Sequence, residues 1–398
     1  MKNPFGWLVP NREPASSTGS SEAKSLGGSF FSLQNQLNAI WSPGDASTLA
    51  QVGFMRNPVV YRCVRMISEA ASSVPIAVQM DGVSQDTHPL KDLLATPNSR
   101  QSGTEFFEAL FGQLLVHGNA YVERLHGSVN PVELHTLRPD RVKVICSRTG
   151  WPEAYEYSVD QSKLRFAIDE HGVSDVLHLT LYHPRNDHYG YAPLQAALHA
   201  LDIHNAASCW NKALLDNSAR PSGALVYAPK EGGNLTVEQF DRLKEELEAG
   251  YTGAQRAGRP MLLEGGLDWK AMGYSPKDMD FIEAKNGAAR DIALAFGVPP
   301  MLLGIPGDNT YANYKEAQRA LWRQTIIPLL KRTASAFQRW MLDQYDGRLE
   351  LRFDLDEVEA LSTERDALWK RLNDASFLTG NEKRSIVGYA PVSASDPD

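Results

Sequence analysis

A few groups of residues in this 398-residue chain have types and spacing that suggest chemistry. Ser21-Glu22-Ala23-Lys24 has the S-x-x-K spacing in which a lysine activates a serine nucleophile. It lies in a stretch of low complexity, where nothing holds the two side chains together, so no catalytic residue is assigned there. His178, His183 and His188 stand five residues apart around a proline turn. Imidazoles are good zinc ligands, but this step scatters side chains over different helix faces or alternate strand faces. Hydrogen-bonded or surface histidines are the better reading, and no metal is expected. The acidic pairs Glu245-Glu246 and Asp356-Glu357 read as solvated helix faces. The stretch from Gly304 to Asn313 differs in kind, because it carries no Lys or Arg. It offers Asp308, Asn309, Thr310, Tyr311 and Asn313. Such groups touch a polyanion through neutral hydrogen bonds or stacking, without a strong ionic grip.

No phosphate loop, no H-E-x-x-H and no G-x-S-x-G elbow occurs. No constellation supports a reaction, so the chain reads as a non-enzyme without a cofactor. Its net charge of −8 argues against tight nucleic-acid binding, which is driven by phosphate neutralisation. A surface past which DNA slides is compatible with that charge, since each strong phosphate contact adds friction. No run of about 18 apolar residues suggests a membrane span. The start, broken by Pro4 and Pro10, is a poor signal peptide. Cys63, Cys146 and Cys209 are far apart and read as reduced and buried, which fits synthesis in the cytoplasm.

The elements that must position these residues follow from periodicity and breakers. Residues 1–54 form a flexible N-terminal arm by composition, and order begins near Asn57. Asn57 caps and Pro58 opens a helix that Pro75 stops. A short strand follows at Ile76 to Met80, then a turn at Asp81-Gly82. Ser102 and Glu105 make a capping box for a second helix ending at Gly118. Strands are expected at 120–125, 141–147, 151–159 and 176–181. Pro193 opens a helix to Asn217. A small segment has a strand at 224–227, a helix capped by Thr236 with Gln239, and two strands around Gly265-Gly266. Another helix runs from Ser275-Pro276 to Gly297, and 298–312 reads as a loop. A helix of about 33 residues spans Asn313 to Tyr345, near 50 Å long, with a kink at Pro328. A strand at 349–353 and a charged helical tail close the chain. The fold class is α+β.

Several segments resemble the portal proteins of HK97-type tailed phages, and especially the form carried by bacterial gene transfer agents. They are NPVVYRCVRMISEAASSVP from Asn57, HPLKDLLATPN from His88 and GNAY from Gly118. LRPDRV, ARPSGAL and GRPMLLEGG follow from Leu137, Ala219 and Gly258. RDIALAFGVPPMLLGI from Arg290, TYANYKEA from Thr310 and NEKRSIVGYAP from Asn381 complete the set. Their order and spacing over residues 55–392 are specific, although each piece alone is weak. The family pattern has Ser before the proline of the first long helix. Ala192 stands there instead, which weakens that cap by roughly 1 kcal/mol.

The resemblance implies a wedge in a dodecameric ring at one capsid vertex. Residues 55–192 would be the wing, 193–218 and 275–297 the two stem helices, and 219–274 the clip. Residues 298–312 would be the tunnel loop, 313–355 the long wing helix and strand, and 356–398 the crown. Double-stranded DNA would pass through the ring during packaging and ejection. The terminase large subunit, the head–tail adaptor and the major capsid protein would be partners, within a virion or virus-like particle. Asp308, Asn309, Thr310, Tyr311 and Asn313 would then face the channel. Lys315, Arg319 and Arg323 would meet acidic groups of a neighbouring subunit or line the channel wall. Glu238, Glu245 and Glu248 would meet a basic partner at the clip. The rival readings are a head–tail adaptor ring, a packaging enzyme, and a soluble binding protein unrelated to DNA.

Overall fold

The computed structural model describes residues 42, 48–80, 83–85, 87–127, 131–216, 223–227, 236, 238, 239, 241, 242, 245, 267–271, 281–306, 311–345 and 348–387. The chain divides into two units, residues 1–40 and 41–398, and all described residues lie in the second.

Helix α1 (Pro58–Ser72) starts where the sequence places it. Asn57 Oδ1 accepts from the Val59 and Val60 amides at 3.0 and 3.1 Å, and Pro58 fills a position that needs no N–H donor. Val60, Cys63, Val64, Ile67 and Ala71 are buried at three- and four-residue steps. Strand β1 (Ile76–Met80) pairs on one side with β2 (Val83–Gln85). On the other it pairs with β11 (Leu349–Phe353), far along the chain, with Val78 opposite Leu351. A helix that the periodicity did not reveal, α2 (Pro89–Ala95), is capped by His88 Nδ1.

Helix α3 (Gly103–His117) has the expected capping box of Ser102 and Glu105. It ends at Gly118, whose φ of 72° is the left-handed conformation of a helix C-terminus. Phe106, Leu110, Phe111 and Leu114 are fully buried, each stabilising by about 1.5–3 kcal/mol. Strand β3 (Asn119–His126) is central to a sheet with β4 (Pro131–Leu137) and β8 (Val176–Thr180). A third antiparallel sheet orders β5 (Val142–Cys146), β6 (Pro152–Val159) and β7 (Ser162–Ala167). The strands β4 and β7 were not expected; the alternation of apolar and polar residues in each runs only over Val132 to His135 and over Lys163 to Phe166.

Pro193 opens α4 (Pro193–Ala196), and a turn at Ala197 separates it from α5 (Leu198–Asp216), so the expected single helix is interrupted. Half of a reciprocal cap survives at Ala192, whose amide donates to Gln195 Oε1 at 2.9 Å. Strands β9 (Gly223–Tyr227) and β10 (Leu267–Ala271) pair antiparallel. Helix α6 (Phe281–Phe296) packs on α5 and α1. The last part holds α7 (Tyr311–Leu321), α8 (Ile327–Met341), α9 (Ser362–Asp374) and α10 (Gly380–Ile386). One continuous core joins α1, α3, α6 and α8 with β1 and β11. The mixed helix-and-sheet architecture is the α+β class expected from the sequence.

Several expectations are corrected. Order does not begin at Asn57: Leu49–Phe54 forms a π-helical segment with Leu49 1% exposed, and Ser42 donates twice to the Asp202 carboxylate. The expected arm 1–54 therefore overlaps packed structure at its end, because Leu49 finds the apolar faces of α1 and α3. Of the cysteines only Cys63 is buried, and burial pushes its thiol up to about 12; Cys146 and Cys209 are exposed on a strand and a helix face. The segment 298–312 is not all loop, since Pro300–Leu303 is a 3-10 helix and α7 begins at Tyr311. The long helix is interrupted by a π turn at Trp322–Ile326, just ahead of Pro328. The Asp81-Gly82 turn, the strand before Gly265-Gly266 and Ser21 to Lys24 lie outside the described residues.

Candidate channel segment and partner-facing residues

The segment that follows α6 is built around Gly297 and Gly304 and the prolines at 299, 300 and 306. Gly297 ends α6 with φ 67°, and its amide donates to Leu294 O at 3.0 Å. Val298 turns inward and is buried, and Pro300–Leu303 forms one 3-10 turn that ends at Gly304 with φ 71°. Ile305 is also buried. Arg290, on α6, donates its guanidinium to the carbonyl of Pro306. The 3-10 turn and the Arg290 contact thus return the chain toward α6 before residues 307–310.

Asp308, Asn309 and Thr310 lie outside the described residues. Tyr311 is the first residue of α7, and its side chain is also outside them. Asn313 and Lys315 are exposed on the first turns of α7. Arg319 donates to Glu316 Oε1 at 2.7 Å, one helical step away. Arg323 reaches Glu364 on α9 at 3.4 Å. Arg319 and Arg323 therefore have carboxylate partners within the chain. Exposed pairs of this kind contribute about 0–1 kcal/mol each, so they orient the side chains more than they stabilise the fold.

Sequence reasoning missed three contacts of this segment. Thr325 Oγ1 donates to Gly297 O at 2.8 Å. Arg290 holds Pro306, and Arg323 crosses to α9. Only Gly297 left a signal, as a glycine at the end of an apolar-periodic run. Thr325 and Arg290 look like ordinary helix residues until the helices are placed side by side.

Glu238 and Glu245 are exposed on helical residues, and Glu248 lies outside the described residues. Thr236 and Gln239 form the expected reciprocal cap, with the Thr236 amide 3.0 Å from Gln239 Oε1. The apolar face of Phe240, Leu243 and Leu247 is likewise outside the described residues.

The histidines do not converge. His178 is half-buried in the sheet, stacked on Tyr121 with ring centres 4.2 Å apart and bonded to Asn119 Oδ1 at 3.1 Å. Burial pulls its pKa down to about 3. His183 and His188 are half-buried in the loop beyond β8, and His188 adds to the lowering at His178. No group of potential metal ligands is assembled among the described residues, and no helix among them is long and apolar enough to cross a membrane.

The phage portal protein family model matches residues 58–388. A chain in the neck of an empty gene transfer agent particle, solved with C6 symmetry, is 51% identical with a TM-score of 0.71, covering 89% of this chain and 96% of that one. An uncharacterised protein of Rickettsia bellii is 42% identical over 86% of this chain and 89% of its own length. The portal protein of Enterobacteria phage HK97 is 27% identical over 85% of this chain and 80% of its own. The match over nearly all of the folded part, in sequence and in fold, places this chain in the phage portal protein family.

Proposed function

We propose that copies of this chain close into a dodecameric ring at the neck of a virus or gene transfer agent particle, and that double-stranded DNA passes through it during packaging and ejection. The observation that carries this reading is the 51% identity, over 89% of the chain, to a chain from a gene transfer agent neck. A related neck solved with C12 symmetry is 50% identical and supports twelve subunits. The role is structural and involves no reaction.

In this reading residues 55–192 and β11 form the wing, α4 with α5 and then α6 the stem, and residues 219–274 the clip. Residues 298–312 form the tunnel loop, with Asp308, Asn309, Thr310, Tyr311 and Asn313 toward the channel. Residues 356–398 form the crown. The clip carboxylates Glu238, Glu245 and Glu248 meet basic surfaces of the terminase large subunit and later of the head–tail adaptor. The outer wing meets the major capsid protein, and the chain is made in the bacterial cytoplasm before assembly. Lys315 and Arg319 pair across the subunit boundary. The intrachain Arg319–Glu316 contact leaves room for this, because Glu316 is largely exposed and an exposed ion pair exchanges partners at low cost.

Electron microscopy of purified protein and of whole particles tests the reading. Rings with a central hole, and the same ring at a single particle vertex, are expected. Particles whose vertex ring is formed by a different chain would overturn it.

A further inference from the structure

Pro328 shapes the helix that precedes it. Proline has no N–H to donate to the residue 324 carbonyl, and its ring presses on that carbonyl. The chain answers with the π turn Trp322–Ile326, in which the Ile327 amide donates to Trp322 O, five residues back. Such a turn carries one residue more than an α turn. The helices on its two sides are held very differently. Helix α8 buries Leu329, Leu330, Thr333, Phe337 and Trp340. Among the described side chains of α7, only Ala317 and Leu321 are buried. One flank of α7 opens on a cleft of about 580 Å³, with Tyr314, Lys315 and Gln318 on one wall and Val358, Glu359 and Thr363 on the other. Within the turn, the Thr325 hydroxyl donates to Gly297 O at 2.8 Å. Its oxygen fills the place, 2.5 Å away, where a side chain on Gly297 would begin.

We propose that the π turn Trp322–Ile326 is a register hinge between a fixed α8 and a movable α7, and that Thr325 is the positioning residue that latches it to the end of α6. The surplus residue cannot leave a continuous chain. Pro328 and the buried face of α8 block its passage one way, so the turn migrates toward Tyr311. Each residue that it passes rotates by about 100° and advances by about 1.5 Å. The cleft gives Tyr314, Lys315 and Gln318 the space in which to turn. One neutral hydrogen bond is a modest latch, worth about fivefold in the equilibrium between registers. Where the chain acts as a portal subunit, which rests on the reading above, the hinge lets the channel end of α7 follow a moving duplex while the wedge stays packed.

Hydrogen–deuterium exchange of the full-length protein tests the hinge. Amides of α7 exchange faster than those of α8 in the unsubstituted chain. Thr325→Val raises exchange across α7 about fivefold, and Thr325→Ser, which keeps the hydroxyl, leaves it unchanged. Deleting Gln324, an exposed residue of the turn, removes the surplus residue and slows α7 exchange without altering α8. The proposal is overturned if the deletion leaves α7 exchange as it was, or if the serine and valine variants behave alike. Exchange reads the hinge whether or not the chain forms a ring, so its failure is distinct from a failure of the portal reading.

Discussion

The guanidinium of Arg124 lies 5.0 Å from the centre of the Trp340 ring and donates to that residue's own carbonyl at 2.9 Å. Trp340 Nε1 in turn donates to Ser174 O at 2.8 Å. A charged side chain only 5% exposed thus ties β3 to the end of α8, with the half-exposed Asp175 carboxylate at 3.4 Å as its counter-charge. Arg124→Ala removes the guanidinium and leaves a buried carbonyl unpaired. The expected loss is about 2–4 kcal/mol, read as a lower urea midpoint. Arg124→Lys recovers only part of it, because an ammonium cannot stack on the ring and reach the carbonyl at once. An unchanged midpoint for Arg124→Ala would show that the contact contributes nothing net.

His178, packed against Tyr121 in the sheet, makes stability depend on pH. Its folded pKa of about 3 lies below the ordinary value of 6.5, so the unfolded chain binds a proton that the folded chain refuses. Stability therefore falls as pH drops from about 6.5 toward 3, with a limiting slope of ~1.4 kcal/mol per pH unit from this residue, and levels off below that window. His88, His117 and His204 are displaced downward by burial too and steepen the same fall. His178→Gln is expected to lose about one proton of this dependence between pH 6 and 4. Urea unfolding at several pH values checks it, and an unaltered slope would refute the assignment.

Gly190 has no room for a side chain. A Cβ there would sit 2.0 Å from Gly118 O, the same carbonyl that accepts from the Leu181 amide at 2.9 Å. Backbone cannot yield as a flexible side chain can. Gly190→Ala is expected to cost roughly 3 kcal/mol or more and to lower soluble yield, whereas Gly112→Ala, with open space at its Cβ, is expected to stay within about 1 kcal/mol of the parent. Thermal unfolding of the two variants side by side decides the point.

Ring assembly tests the bases of α7. Lys315→Ala combined with Arg319→Ala is expected to lower the yield of rings several-fold while leaving the monomer's unfolding midpoint within about 0.5 kcal/mol, because both side chains lie on the helix surface. Native mass spectrometry reads the yield. Intact rings that lose packaged DNA would assign these bases to the channel wall instead of the subunit boundary.

The sequence alone determined the parts whose physics is local. Asn57 with Pro58, Ser102 with Glu105, Gly118 and Pro75 set helix ends within a few residues of themselves, and the structure has those ends. The order of short motifs along the chain likewise carried the family and its fold class. Tertiary structure decided what depends on distant partners. Leu351 was legible as a strand residue, but its place opposite Val78 is chosen by the shared core. Nothing close to Arg124 in the chain shows that its guanidinium lies over the Trp340 ring. Pro328 announced a break, yet whether the helix would kink or take up a π turn depended on how firmly α8 is buried and on Thr325 finding Gly297. The stretch without Lys or Arg before α7, read first as a candidate for contact with DNA, remains a reading of its residue types. The structure adds how its flanks are anchored, by Arg290 on Pro306 and by the Thr325 contact, because such anchors join residues on separate helices that no spacing along one of them encodes.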